Sequence, residues 1–226
     1  FRQGEESKIS SLAQMVIRGE RPKKSHLCNQ HVTFHNLQDP EEVYTQVIKL
    51  YNTLPKDSCQ VLFPTRKETT VGTIQFNKLV AQQKHQTTNI ASGDKIVCIK
   101  NNIVTNEEGE VIYQQSTFNG ELGEVVLTDD KRVMIKTLTD KEITLTPDTI
   151  EHAWAISVNK SQGSEYDHVI LVLHDSQTIM LTRELLYTAI TRAKKHLYII
   201  ASASALFRAV DNRIKPRHSF LSSLFA

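Results

Sequence analysis

Apolar residues first recur at helical spacing near the start of the chain. Ile9, Leu12, Ala13, Val16 and Ile17 lie three and four apart between Ser7, a candidate cap, and Gly19, which predicts a helix over 7–19. A basic loop with Arg18, Arg21, Lys23, Lys24 and Pro22 follows. Asp39-Pro40-Glu41-Glu42 then marks a second helix: a capping aspartate, proline at the first helical position and acids in the first turn. Val43, Val47, Ile48 and Tyr51 form its inward stripe, and Pro55 lies beyond its end. The run 59–63 is short, mostly apolar and stops at Pro64, which predicts a buried strand. A helix over 71–83 and a polar linker over 84–92 complete this stretch.

The pattern changes at Gly93. Short runs at 95–99, 124–127, 132–138 and 141–145 predict strands, the last three separated by Asp129-Asp130 and Thr139-Asp140. Between the first two lies a long polar connection, 100–121, with Asn119-Gly120 near its end. These runs predict a small all-β barrel. Buried strands and helices resume at Ala153, with strands at 153–158, 169–173 and 197–201 and a helix at 182–193 capped by Thr182. Strands and helices alternating on both sides of a β unit imply an α/β fold: a parallel sheet built from 1–92 and 151–226, with 93–150 inserted. At the end, Phe220, Leu221, Leu224 and Phe225 form a candidate apolar cap.

Composition narrows the class. With 226 residues, 39% hydrophobic and 23% charged, the chain suits a soluble globular protein with a sizeable core. No apolar run approaches the ~20 residues that span a bilayer. The chain opens on Phe1-Arg2-Gln3-Gly4-Glu5-Glu6, with no leader pattern and no Met, so it is expected to begin mid-protein. Cys28, Cys59 and Cys98 are odd in number and widely spaced, the usage of reduced thiols in a cytoplasmic protein. Neither they nor the nine histidines form a metal-ligand pattern. Net charge is only +2, but from Arg192 onward seven Lys/Arg face one acid, Asp211. That segment fits a phosphate partner and a solvated tail equally well.

Two stretches hold the candidate chemistry. In Ser157-Val-Asn-Lys-Ser-Gln-Gly-Ser-Glu-Tyr166, the side chains of Lys160, Ser161 and Gln162, with backbone N–H groups beside Gly163, suit a phosphodiester read without regard to sequence. Glu165 suits ribose hydroxyls. An ordinary polar loop between strands would have the same composition. In Leu185-Leu-Tyr-Thr-Ala-Ile-Thr-Arg-Ala193, Arg192 ends an apolar helix. A cation there is favoured by the helix dipole, by ~0.3–1 kcal/mol. The same guanidinium would also suit a transferring phosphoryl group. Thr65 and Arg66 fall just past the end of the 59–63 strand, the edge where open α/β sheets bind ligands.

Taken in order, these segments resemble the C-terminal part of RecD/TraA-type helicases of superfamily 1. Residues 157–166 are similar to motif V, usually T-V-H-K-S-Q-G-S-E-[FY], and 186–193 to motif VI. Phe1-Arg2-Gln3 with the following helix resembles the motif IV arginine region. Val61-Leu-Phe-Pro-Thr-Arg66, with Gly72 and Asn77, resembles another family stretch. Phe118-Asn-Gly-Glu-Leu-Gly123 resembles a signature of the family's SH3-like insertion. The likeness runs collinearly over essentially the whole chain. It implies a RecA-like domain 2A with an inserted 2B barrel, and an ATP-dependent 5′-to-3′ DNA helicase acting in recombination and repair. Arg2 and Arg192 would reach the γ-phosphate, with Gln3, Gly163 and Glu165 on the nucleotide. Thr65, Arg66, Asn77, Asn159, Lys160, Ser161 and Gln162 would follow single-stranded DNA. Asn159 stands where the family usually has His, and Asn cannot be protonated.

No glycine in the chain is followed by lysine, so the phosphate-cradling G-x-x-x-x-G-K-[ST] loop is missing. The resemblance therefore implies that ATP and Mg²⁺ are held mainly by an upstream RecA-like domain, and that this chain alone turns over no ATP. The parent would be a standalone RecD-like helicase, an exodeoxyribonuclease V alpha subunit with RecB/RecC-type partners, or a relaxase-helicase. The tail from Arg217 favours the RecD-like proteins. The alternative is a non-catalytic DNA-binding or scaffolding subunit with a degenerate RecA-like fold.

Overall fold

A computed structural model of the chain describes residues 8–65, 70–129 and 131–214. The chain begins with helix α1 (Lys8–Arg18) and a short turn of helix, α2 (Lys24–Leu27), followed by strand β1 (Val32–Asn36). Helix α3 (Pro40–Thr53) starts where its sequence requires. The Asp39 carboxylate accepts from the Glu41 and Glu42 N–H groups, both at 3.0 Å, satisfying donors that the first turn leaves open. Strand β2 (Cys59–Phe63) and helix α4 (Thr73–His85) follow. Next come the insertion strands β3 (Lys95–Cys98), β4 (Leu122–Thr128), β5 (Val133–Thr137), β6 (Glu142–Leu145) and β7 (Ile150–His152). The chain closes with β8 (Ala155–Ser157), β9 (Tyr166–Leu173), α5 (Arg183–Ile190), β10 (Ala193–Ala201) and α6 (Ala203–Asp211).

Five strands form one parallel sheet in the order β1-β10-β9-β2-β8. Helices cover both faces, so its strands carry continuous apolar runs rather than alternation. On one face Leu62, Val169, Leu171, Leu197 and Ile199 pack with Ile9, Leu12, Leu186, Ile190 and Leu206 from the helices. On the other, Val61, Phe63, Ile170 and Val172 pack with Val43, Val47, Tyr51 and Phe76. The end of α1 meets the start of α5, because the Arg183 guanidinium lies against Gly19. The two helices pack along one another, so α1 begins at the end of α5 that carries Arg192.

The insertion is an antiparallel sheet in the order β6-β5-β4-β3-β7 around a small core that includes Ile96, Val125, Ile135 and Leu145. Its order ends at β6 and β7 without pairing them, so among the described residues the expected barrel is an open five-stranded sheet. The connection 100–121 is partly ordered into a hairpin arm by bridges between Asn102 and Thr117 and between Thr105 and Val111. The signature 118–123 is architectural. Glu121 accepts from the Phe118 N–H at 3.1 Å and pairs with Lys141 at 2.7 Å. A Cβ on Gly123 would stand 2.7 Å from the Lys136 carbonyl oxygen, so only glycine lets β4 and β5 approach here.

Several elements lie outside the sequence expectations. β1 and α6 are whole elements without a predicted counterpart, β7 adds a fifth strand to the insertion, and α4 runs on to His85 through part of the expected linker. Ser7 and the apolar tail from Phe220 lie outside the described residues.

Candidate functional site

The stretch 157–166 crosses the parallel sheet. β8 ends at Ser157 beside Phe63, the last residue of β2. A 3-10 turn (Val158–Ser161) then carries the chain back to Tyr166, where β9 begins beside Ala193. Because β8 and β9 are parallel, the segment must travel from the C-terminal edge of the sheet to its N-terminal edge. Val158, fully buried, anchors the crossing in the core.

At the C-terminal edge lies a groove of about 260 Å³. Thr73, Ile74, Asn77 and Lys78 of α4 form one wall; Val97, Ile150 and Ser157 line the other, with Lys160. Two lysines at a groove of mixed apolar and polar lining, which also holds Glu151, suit a phosphodiester backbone. Thr65 is half-buried just past the end of β2, and Asn159 is exposed.

Two of the expected DNA contacts turn inward instead. Ser161 is fully buried, and its hydroxyl donates to the Val158 carbonyl at 2.7 Å, closing the 3-10 turn. Asn77 gives its amide hydrogens to the carbonyls of His152 at 2.6 Å and Ala155 at 3.0 Å, and accepts from the Ala155 N–H at 2.8 Å. With its donors spent on the backbone, Asn77 holds the groove wall in place. Residue spacing cannot reveal such inward engagement.

At the N-terminal edge the two motifs meet. Arg192 donates through one terminal nitrogen to the Ser164 carbonyl at 3.0 Å and through Nε to the Thr188 carbonyl at 3.1 Å. The Tyr166 N–H donates to the Arg192 carbonyl at 2.8 Å. The guanidinium thus ties the last turn of α5 to the residue preceding Glu165, whose side chain is exposed. Gly163 takes a φ of +88°, a left-handed turn that favours glycine, and sends the backbone towards Glu165. Burial raises the pKa of the Tyr166 phenol, and Ser164 and Arg192 oppose that rise. Gln162 is exposed between the two ends. The set offers a guanidinium and an exposed carboxylate, which fit a phosphate and a ribose. No cluster of three metal-binding side chains occurs among the described residues.

Arg2, Gln3 and Arg66 lie outside the described residues. The basic run from Arg192 is partly neutralised by acids from other segments: Lys195 pairs with Asp167 at 2.7 Å, and Arg208 approaches Asp175 at 3.9 Å. No described helix is long and apolar enough to cross a membrane.

A helix-covered parallel sheet carrying an antiparallel insertion is the 2A/2B arrangement of helicase motor domains. Residues 152–200 match the family described as the UvrD-like helicase C-terminal domain. A Pif1 helicase from Bacteroides, crystallised with ADP-AlF3 and ssDNA, shares the fold: TM-score 0.53 at 13% identity, over 100% of this chain and 54% of that one. By sequence the chain is similar to RecD-type helicases, and it spans less than a fifth of the length of the curated relatives it matches. It is 32% identical over 135 residues to the ATP-dependent RecD2 DNA helicase of Deinococcus radiodurans, covering 57% of this chain and 17% of that protein. It is 33% identical over 105 residues to the RecBCD enzyme subunit RecD of Mycolicibacterium smegmatis, covering 45% of this chain and 18% of that one.

Proposed function

We propose that this chain is the second motor domain of an ATP-dependent 5′-to-3′ DNA helicase of RecD type. It acts with an upstream RecA-like domain that holds most of the ATP and Mg²⁺ contacts, in the cytoplasm, in DNA recombination and repair. RecB/RecC-type subunits are its candidate partners. One observation carries this reading: 157–166 runs from a groove flanked by Lys78 and Lys160 to a carbonyl held by Arg192, so one segment touches both candidate sites.

In this mechanism Lys160, Gln162, Asn159 and Thr65, with Arg66, hold the backbone of single-stranded DNA, while Ser161 and Asn77 shape the path from within. Arg192 and Arg2 stabilise charge on the γ-phosphate, and Glu165, with Gln3 and Gly163 beside it, holds the ribose end. When Arg192 leaves Ser164 for a phosphate, the crossing segment is released at one end. Its other end lies at the DNA groove, so turnover and strand movement are coupled through eight residues, 158–165.

The test uses the full-length protein. Arg192→Ala is expected to cut ATP turnover by roughly 10³-fold or more while single-strand affinity stays close to wild type. Lys160→Ala is expected to weaken DNA binding and flatten its salt dependence, leaving turnover without DNA unchanged. If Arg192→Ala abolished DNA binding and left hydrolysis intact, the assignment of the two ends would be reversed and the reading overturned.

A further inference from the structure

The insertion joins the parallel-sheet domain through two chain crossings, one at Gly93–Asp94 and one at His152–Ala153, and both meet at one carboxylate. Asp94 has no exposed side-chain surface. It accepts from His85 Nε2 at 2.6 Å and Lys84 Nζ at 3.0 Å, both at the end of α4. It also accepts from His152 Nε2 at 3.2 Å, at the end of β7, and from the Ala91 N–H at 2.9 Å. Burial alone would raise its pKa, but hydrogen bonds from His152, His85, Ala91 and Lys84 outweigh burial and hold it well below the usual carboxylate range. Lys84 also donates to the Gly93 carbonyl at 2.9 Å. Two turns back along α4, Asn77 grips the outgoing crossing at His152 and Ala155. The His152 ring stacks on Trp154 with centroids 4.5 Å apart.

A buried carboxylate is tolerable only when its donors are all in place. Asp94 and His152 move with the insertion, because β3 pairs with β7 and the Val125 N–H binds the Asp94 carbonyl. Rotating the insertion against α4 would therefore strip Lys84 and His85 from the carboxylate and leave its charge undercompensated. The arrangement therefore favours one orientation, which the small insertion core could not select by itself. The same helix, α4, is a wall of the groove, and the insertion strands β3 and β7 help form the opposite wall. We propose that Asp94, with Lys84, His85, His152 and Asn77, is a positioning joint that locks the insertion to α4 and so sets the width of the groove beside Lys160. The part about DNA rests on the function proposed above; the locking does not.

The experiment places spin labels on cysteines introduced at two exposed sites, Lys49 on α3 and Lys131 at the β4–β5 turn, in full-length protein whose exposed native cysteines, Cys28 among them, are replaced by serine. Cys59 and Cys98 are buried. Wild type should give one narrow distance distribution, and Asp94→Asn a broad or split one. Single-strand affinity of Asp94→Asn should fall by about tenfold, the equivalent of ~1.4 kcal/mol, with DNA-free ATP turnover unchanged. His85→Ala provides a second route if Asp94→Asn fails to fold, and His85→Gln, which keeps a donor, should restore the narrow distribution. An unchanged narrow distribution in both Asp94→Asn and His85→Ala overturns the joint. A broad distribution with unchanged DNA affinity overturns the link from joint to groove. If Lys160→Ala also leaves affinity unchanged, the fault lies in the proposed DNA path and the joint stands.

Discussion

The two sheets of this molecule achieve a unique structure by different means. In the parallel sheet, β2 is buried at all five positions and β9 from Val169 to Leu173, because helices cover both faces. In the insertion, β6 alternates: Ile143 and Leu145 are buried, Glu142 and Thr144 exposed. Its other face shows Val126, Leu127 and Leu138 to solvent. The parallel sheet is held by apolar packing on two sides. The insertion has one small core and depends as well on local polar devices: the Asp94 joint, the Glu121–Lys141 pair and the close approach at Gly123. Apolar packing can yield gradually, whereas a buried carboxylate or a backbone contact cannot. The parallel-sheet domain is thus expected to be the stable body and the insertion a part set against it.

The largest test of this contrast is Phe63→Ala. Phe63 is fully buried and packs on Phe76 with ring centroids 5.9 Å apart. Its loss should cost ~3–5 kcal/mol, a large share of the ~5–15 kcal/mol typical of a domain. Amide exchange should accelerate in β2, β9 and β10 and in the insertion together, since the insertion is mounted on this sheet. Gly123→Ala should cost less, ~1–3 kcal/mol, because the new methyl meets the Lys136 backbone. Here exchange should accelerate in β4 and β5 while β9 and β10 stay protected. Equal loss of protection in both sheets would show a single cooperative unit and break the contrast.

The same contrast explains what was legible in the sequence. β2, α3 and α5 announce themselves through an apolar run broken only by Gln60, an Asp-Pro-Glu-Glu start and a threonine cap. β1 does not: Thr33, His35 and Asn36 interrupt it, and as an edge strand it pairs on one side only. α6 follows β10 after a single residue, Ser202, so it merges in sequence with an apolar strand. At the site, the order of the motifs was legible, because spacing carries it. The inward turn of Ser161 and Asn77 was not, because a hydroxyl or amide that binds backbone is identical in sequence to one that binds a ligand. Asp94, at the start of the insertion, gives no signal in the sequence at all. Only the fold brings His85 and His152, nine residues before it and 58 after, onto one carboxylate.

A smaller effect belongs to the helix start that the sequence declared most clearly. Asp39→Ala removes the acceptor of two N–H groups at the head of α3 and should cost ~1 kcal/mol. Asp39→Asn, which keeps an acceptor oxygen, should recover most of that. Both are measurable as shifts in the urea midpoint at constant slope. The loss should leave the insertion's exchange pattern relative to the parallel sheet unchanged, since Asp39 caps the end of α3 far from Tyr51, where the helix meets Phe76 of α4. A selective opening of β4 and β5 in Asp39→Ala would mean that the two regions are not separable in this way.

The smallest expected effect at ordinary pH is the contribution of Asp94 to the pH dependence of stability. Its folded pKa lies below the unfolded value of about 3.9. The stabilisation it provides is therefore complete above that value, and is lost as pH falls below it towards the folded pKa. Titrating the carboxylate should thus contribute almost no slope between pH 5 and pH 8, even though the group is central to the joint. The stability gap between wild type and Asp94→Asn, from urea melts, should narrow only below about pH 4. At acid pH the donors Lys84, His85 and His152 remain in place while the acceptor is neutralised, so the insertion should open before the parallel sheet. Exchange read at both sheets during an acid titration distinguishes this from a uniform acid transition. If β9 and β10 lose protection at the same pH as β4 and β5, the joint does not separate the stabilities of the two regions.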